Sequence, residues 1–283
     1  MTAPPVTIVT PSLNQAAFLE EAIESVLAQD YPALEYAVVD GGSGDGSVDV
    51  IRRYEDRLAW WTSERDSGQA QALNKAFARA RGDVLGWLAS DDVLLPGAVR
   101  RVVDELERDR ETLLVYGEAL FVDESGAEIF ALPARSFDRY EMLRRCENFV
   151  VQPGSLFSRR AWELAGPLDE DSHYLFDFAF ALRVAQHGRV RAIDDRLALY
   201  RVHAASKSGG GSLLKARDYV RFAERELEGG EGQARALLAA GDYFYDAREL
   251  GEARRALARS LRLHPTGRAA GLLARAVARS ALP

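Results

Sequence analysis

Val84-Leu85-Gly86-Trp87-Leu88-Ala89-Ser90-Asp91-Asp92 is a short apolar run closed by two aspartates, and Tyr36-Ala37-Val38-Val39-Asp40 follows the same plan earlier in the chain. Apolar runs of this length, bounded by turn residues, read as buried strands, so the aspartates stand at strand ends. In an open α/β sheet, ligands occupy the crevice beyond the carboxyl ends of parallel strands, where acidic groups from separate strands converge on one nucleotide and its metal. This placement favours an enzyme site over a scaffold.

Working outward, residues 6–10 form a β-rich run that ends at Pro11-Ser12-Leu13-Asn14, and residues 17–29 show helical spacing through Phe18, Ala22, Ile23, Val26 and Leu27. The cycle repeats with residues 36–40, the turn Gly41-Gly42-Ser43-Gly44-Asp45-Gly46 and a helix near 47–54. It repeats again with 59–63, a loop and a helix near 69–80, and then with the strand 84–88 and a helix opened by Pro96-Gly97. Such alternation predicts an α/β fold of βαβ units with a mainly parallel central sheet. After about residue 113 the pattern loosens. Short strands are expected at 113–116 and 119–122, with the turn Glu124-Ser125-Gly126 after them. Gln152-Pro153-Gly154 precedes another short strand and helix, residues 173–187 read as one helix, and strands return at 192–193 and 198–202.

Gly209-Gly210-Gly211, flanked by serines and a lysine, is the best linker in the chain. It divides a domain of residues 1–208 from a helical region of residues 209–283, where helices are predicted at 213–227, 233–247, 250–263 and 268–279. Within this region Leu237-Leu238-Ala239-Ala240-Gly241-Asp242-Tyr243-Phe244 through to Leu261-Arg262-Leu263-His264-Pro265 resembles one tetratricopeptide hairpin.

The 283 residues, 47% of them hydrophobic, suffice for a packed core. The single Cys146 has no partner for a disulfide or a zinc site and reads as packing. No apolar run approaches the roughly 18 residues of a membrane span, and the first residues lack a basic stretch before an apolar core. The expected location is cytoplasmic. A net charge of −7 argues against a general nucleic-acid binder. From Arg248 onward, however, eight Arg stand against two Glu, which allows peripheral contact with an anionic inner membrane surface or simply a solvated basic face.

The loop Gly41 to Gly46 either admits close backbone approach to a ligand or is an ordinary turn. It is not a phosphate-binding P-loop, since no Gly-Lys-Ser/Thr ends it, and it lacks the G-x-G-x-x-G spacing. Asp91 and Asp92 suit a helix cap, or a hard divalent cation that bridges a diphosphate; the residues alone leave both open.

Taken together, Val6-Thr7-Ile8-Val9-Thr10-Pro11-Ser12-Leu13-Asn14, Ser25-Val26-Leu27-Ala28-Gln29, Val39-Asp40-Gly41-Gly42-Ser43-Gly44-Asp45-Gly46-Ser47, Asn74-Lys75-Ala76 and Gly82-Asp83 through Asp91-Asp92 resemble the nucleotide-binding half of family 2 glycosyltransferases. The likeness covers roughly residues 5–203. It implies a GT-A fold, Rossmann-like, with helices on both faces of the sheet. It also implies that Asp40 hydrogen-bonds the nucleobase, that Thr10, Pro11 and Asn14 line the nucleotide pocket, and that Asp66 and Asn74 face the donor. Asp91 would bind a divalent metal, Mn²⁺ or Mg²⁺, at the diphosphate, with His203 completing the metal shell or contacting a phosphate. Asp92 would assist the metal or position the sugar. Gln152 would lie on the acceptor side, and Asp177 would be the catalytic base.

Three positions depart from the family pattern: Ala89 at the first Asp of an Asp-x-Asp motif, Gly41 at a frequent second Asp, and Ala179 at a position often acidic. The activity implied is inverting transfer of a sugar from a nucleotide-diphosphate sugar, UDP ahead of GDP or dTDP, to a hydroxyl of a glycan, lipid-linked or natural-product acceptor. The competing readings are a catalytically silent GT-A domain that recruits a protein partner through its helices, and a sugar nucleotidyltransferase. The latter would want glycines and basic residues near the start for a triphosphate, and residues 1–30 contain no Gly, Lys or Arg.

Overall fold

The computed structural model describes residues 3–204, 206 and 212–280. The predicted glycine linker at 209–211 lies outside the described residues. In chain order the elements are β1 (Val6–Ser12), α1 (Ala16–Leu27), β2 (Leu34–Asp40), α2 (Ser47–Arg53), β3 (Trp60–Ser63), α3 (Gln69–Arg79), β4 (Val84–Trp87), β5 (Val93–Leu94), α4 (Ala98–Arg108), β6 (Thr112–Val122), β7 (Glu128–Leu132), α5 (Arg139–Arg145), β8 (Leu156–Ser158), α6 (Arg159–Ala165), α7 (Phe176–Val184), β9 (Arg189–Arg201), α8 (Ser212–Arg225), α9 (Gly230–Asp246), α10 (Leu250–Leu263) and α11 (Gly267–Ser280).

Two compact units emerge. The first comprises Met1–Phe137, Phe149–Glu170 and Phe180–Ala204; the second comprises Asp138–Asn148, Asp171–Ala179 and Ala205–Pro283.

In the first unit the strands run in the order β3-β2-β1-β4-β8-β6-β9-β5, with β7 on β6. The β3-β2-β1-β4 portion is parallel, as the βαβ alternation predicts. Beyond β4 the sheet is mixed: β8 is antiparallel to β4 and β6, while β9 is parallel to β6. Alternation along the strands decides which helices cover which face. Val6 and Ile8 of β1, with Val84 and Leu88 at β4, share a core with Leu19, Ile23, Ile51, Val99 and Val102 of α1, α2 and α4. On the opposite face Trp87 and Phe157 meet Phe77 of α3, Trp162 of α6 and Phe180 of α7 in a chain of ring contacts. Burying an aromatic or large aliphatic side chain contributes about 1.5–3 kcal/mol, so both faces anchor the strand ends that carry the aspartates.

Three expected boundaries change. The two strands at 113–116 and 119–122 are one strand, β6, and those at 192–193 and 198–202 are one strand, β9. The apparent gap at Gly117 is where β9 passes: a Cβ there would lie 2.4 Å from Asp195 O, and the register shifts on either side. The helix expected from residue 173 begins at Phe176, because the His173 and Tyr174 N–H groups donate to Asp218 instead of continuing a helix.

In the second unit, Ala216, Ala240, Phe244, Ala253, Ala256, Leu257, Leu272 and Ala276 form the core of α8 to α11. Small side chains set close helix approach, and at Gly241 a Cβ would stand 2.5 Å from Leu257 Cγ. Helix α5 joins this unit through Arg144, which pairs with Glu231 of α9 at 3.2 Å. No helix among the described residues is long and apolar enough to cross a membrane.

Candidate active site

The carboxyl ends of β1, β2 and β3 lie side by side, with Ser12 opposite Asp40 and Asp40 opposite Ser63. Asp40 is fully buried, and its charge is met by the loop that follows it. Oδ2 accepts from the Gly42 and Ser43 N–H groups (3.0 and 2.9 Å) and from Ser63 Oγ (2.6 Å), while Oδ1 accepts from Ser43 Oγ (2.5 Å). This is the local logic of an Asx turn, and Gly42, at φ +85°, supplies the left-handed residue that the turn needs. Asn14, itself at φ +52°, stitches the first loop to this one: its N–H donates to Ser43 Oγ (2.7 Å) and its Oδ1 accepts from Gly44 N–H (3.0 Å). Asp45 adds a bond from Ala16 N–H (2.9 Å). Thr10 and Pro11 are buried in β1, with Thr10 Oγ1 and the Tyr36 hydroxyl 2.9 Å apart.

Asp66 faces this rim. Its Oδ1 accepts from Gly68 N–H (2.9 Å), and a Cβ placed on Gly41 would lie 3.0 Å from its Oδ2. Burial raises its pKa; Asp40 and Glu64 push in the same direction against Gly68 N–H and Lys75.

After β4, Asp91 Oδ2 lies 3.0 Å from His203 Nε2. His203 is buried and its ring packs on Phe18 of α1 at 4.5 Å between centroids. Asp92, next to it, is also buried, and its Oδ1 accepts the Arg201 N–H at 2.9 Å. Burial, with Asp91 alongside, holds its pKa well above the usual carboxylate range. Arg201 ties the region together: it donates to Asp91 O (3.1 Å), Asp123 O (3.2 Å) and Glu124 O (3.3 Å) and pairs with Glu21 (2.5 Å).

A carboxylate oxygen and an imidazole nitrogen on this spacing are a donor set that fits Mn²⁺ or Mg²⁺. No group of three or more His, Cys, Asp or Glu that could hold a metal occurs among the described residues.

Asn74 and Gln152 are engaged within the fold. Asn74 Nδ2 donates to Leu168 O and Glu170 Oε1 (both 3.0 Å), and its Oδ1 accepts from Leu168 N–H (2.9 Å). Gln152 Nε2 donates to Trp87 O at the end of β4 (2.8 Å). In the second unit, Asp177 stands in the first turn of α7, where a helix N-terminus favours negative charge. Its Oδ2 accepts from Asn148 Nδ2 at 3.2 Å. Cys146 is free, and burial pushes its thiol up to about 12, which suits packing and not nucleophilic chemistry.

Two residues of this region had no role in the sequence reading. Arg201 looked like a strand-end residue, since nothing in a linear pattern shows that its partners come from two separate loops and helix α1. Ser12 was quoted only as part of a motif; its Oγ is buried at the end of β1, in register with Asp40, without a hydrogen-bond partner among the described residues.

The family model of glycosyl transferase family 2 matches residues 7–163, more than half of the chain. An uncharacterised glycosyltransferase of Nostoc sp. is 27% identical over 214 residues, covering 71% of this chain and 66% of that one. The chondroitin synthase of Escherichia coli is 27% identical over 196 residues, 68% of this chain and only 28% of the synthase. The chain thus spans just under two thirds of the first of these relatives and a little over a quarter of the second. Among solved structures, S. aureus TarS 1-349 in complex with UDP-GlcNAc superposes with a TM-score of 0.64 at 13% identity, covering 97% of this chain and 88% of that one. The mannosyltransferase PcManGT of Pyrobaculum calidifontis, in complex with GDP-Man and Mn²⁺, gives 0.62 at 23%, covering 100% and 82%. These likenesses establish the expected GT-A fold. With its carboxylates at the ends of parallel strands and the family match across them, the chain belongs to glycosyl transferase family 2.

Proposed function

We propose that the protein is an inverting, metal-assisted transferase that moves a sugar from a nucleoside diphosphate donor, UDP-linked in the first instance, to a hydroxyl of a glycan, lipid-linked or natural-product acceptor. The observation that carries this reading is the Asp91–His203 pair at 3.0 Å beyond β4, in a chain of this family. A divalent cation bound there would neutralise charge developing on the departing diphosphate.

The chain's own residues then divide the remaining work. Thr10, Pro11, Asn14 and Asp40 shape the rim against which the nucleotide rests; Asp40 holds the loop in shape, and a direct contact to the base would replace one of its present bonds. The buried Ser12 hydroxyl is a further donor on that rim. Asp66 lies toward the sugar. Asp92 keeps Asp91 in place through Arg201, and Asn74 and Gln152 brace the neighbouring segments. Asp177 takes the proton of the attacking acceptor hydroxyl. With Asp177 as base and the other site carboxylates assigned to the loop, the donor and the metal, displacement proceeds with inversion.

Solved proteins of like fold are seen with GDP-Man and with UDP-GlcNAc, so the fold does not select the nucleotide. The test is release of nucleoside diphosphate from UDP-, GDP-, dTDP- and ADP-sugars with Mn²⁺, Mg²⁺ or EDTA, with Asp177→Asn as control. Turnover of one donor that is abolished by EDTA and by the substitution supports the proposal. Absence of turnover together with absence of metal-dependent nucleotide binding would reject it in favour of a silent scaffold.

A further inference from the structure

We propose that Asp218 is a positioning residue for Asp177, so that helix α8 orients the base instead of serving as an accessory. This inference rests on the reading of Asp177 as the base.

In sequence, Asp218 sits in Leu213-Leu214-Lys215-Ala216-Arg217-Asp218-Tyr219-Val220-Arg221, which looks like an ordinary solvated helix face. In the structure its side chain is buried, with the residue only 3% exposed. A buried carboxylate is costly unless donors surround it, and here Oδ2 accepts from three: Ser172 Oγ (3.2 Å), His173 N–H (2.6 Å) and Tyr174 N–H (2.5 Å). Bonds from N–H groups to a charged oxygen are among the stronger ones available to a backbone. All three donors lie in the segment that leads into α7, where Asp177 is the second residue.

Other residues on α8 grip the same segment. Lys215 Nζ stands 5.2 Å from the Tyr174 ring, Arg221 pairs with Asp171 at 2.9 Å, and Phe222 stacks on Phe178 at 4.7 Å between centroids. Positions 215, 218 and 222 follow the spacing of one helix face. Tyr219, on the next position, lies close enough for the Asp177 charge to add to the burial that raises its own pKa. From the other side Asn148 donates to Asp177. Thus residues 171–178 are held before and after Asp177: Asp218 takes the His173 and Tyr174 N–H groups ahead of it, and Asp177 Oδ1 itself accepts the Phe178 N–H at 2.8 Å. General-base catalysis depends on that kind of fixed approach, and a displacement of about 1 Å can cost about 10²-fold in rate.

The experiment uses the full chain and the Asp218→Ala, Asp218→Asn, Asp177→Asn and Asp218→Ala/Asp177→Asn variants. It measures kcat and donor KM for nucleoside diphosphate release from UDP-GlcNAc and GDP-Man with Mn²⁺, and checks folding by thermal melting and near-UV circular dichroism. The expected result for Asp218→Ala is a kcat lower by about 10²-fold with donor KM within about twofold. Asp218→Asn, whose amide oxygen still accepts N–H bonds, restores most of that loss. The double variant is no slower than Asp177→Asn alone, because both changes act through one group. If Asp218→Ala does not fold, Asp218→Asn takes its place in the cycle, with a smaller kcat loss and the same non-additivity. A folded Asp218→Ala with unchanged kcat, or a double variant slower by the product of the single effects, would overturn the inference while leaving the base reading intact. Full activity in Asp177→Asn, or a parent chain that neither turns over any of the four donor classes nor binds nucleotide with Mn²⁺, defeats the base reading first and this inference with it.

Discussion

His203 Nε2 and Asp91 Oδ2 lie 3.0 Å apart although 112 residues separate them in sequence. The pairing exists because β9 runs parallel to β6 and also pairs with β5, just after Asp91-Asp92, which returns the end of β9 to the end of β4. If the two side chains share a cation, His203→Ala should weaken Mn²⁺-dependent nucleoside diphosphate binding at least about tenfold, the smallest loss usual even for a residue one step behind a metal ligand. Calorimetric titration of nucleotide with and without Mn²⁺ reads this directly: a loss seen only with Mn²⁺ supports the shared site, and an equal loss without it would assign His203 to packing on Phe18.

Arg201 is buried and holds three backbone carbonyls and Glu21. Arg201→Met removes the guanidinium, which also stands over the Phe18 ring at 5.2 Å, and strands those acceptors. Since Glu21 is itself 56% exposed, its share is screened, and the carbonyls dominate. The expected cost is about 2–3 kcal/mol in urea unfolding. An unchanged midpoint would mean that water replaces the guanidinium without penalty.

At Gly41 the space that a side chain would take belongs to Asp66. Gly41→Asp should destabilise by about 1–3 kcal/mol through crowding and like charge, since its Cβ alone would be 3.0 Å from Asp66 Oδ2. Adding Asp66→Ala should recover much of that cost. Additive effects in the double variant, measured by denaturant unfolding, would show that the two positions do not compete.

The raised pKa of Asp66 carries a sign. The folded chain holds this proton to a higher pH than the unfolded chain, so its contribution is fully present below the ordinary carboxylate range and is lost as pH rises through the raised folded value. Asp66→Asn keeps the oxygen that accepts Gly68 N–H and removes the titration. Its melting temperature should therefore gain on the parent as pH rises through that window, and the two curves should run parallel at higher pH. A gap that does not vary with pH would contradict the shift.

Much of the donor half was legible because its signals are local. The alternation of residues 6–88 forecast β1 to β4 in parallel order, and Asp40, Asp66 and Asp91 emerge at or just beyond strand ends. The mixed half was less so. Gly117 read as a break because a glycine that admits a neighbouring backbone looks in sequence like one that ends a strand. Asp92, Arg201 and Asp218 were opaque for a different reason: each owes its burial to partners from distant loops. A charged residue in an ordinary helix or strand pattern gives no sign that it will be enclosed.

The second unit draws residues 138–148 and 171–179 to helices encoded later in the chain. During synthesis, at about 5–20 residues per second, the sheet strands can pair while Phe178 still awaits Phe222 and the His173 and Tyr174 amides await Asp218. A message cut short at the glycine-rich segment would therefore yield a product with an assembled sheet but an unfastened α7 entry. Helices α8 and α9 thus act as a latch, closing on segments made well before them.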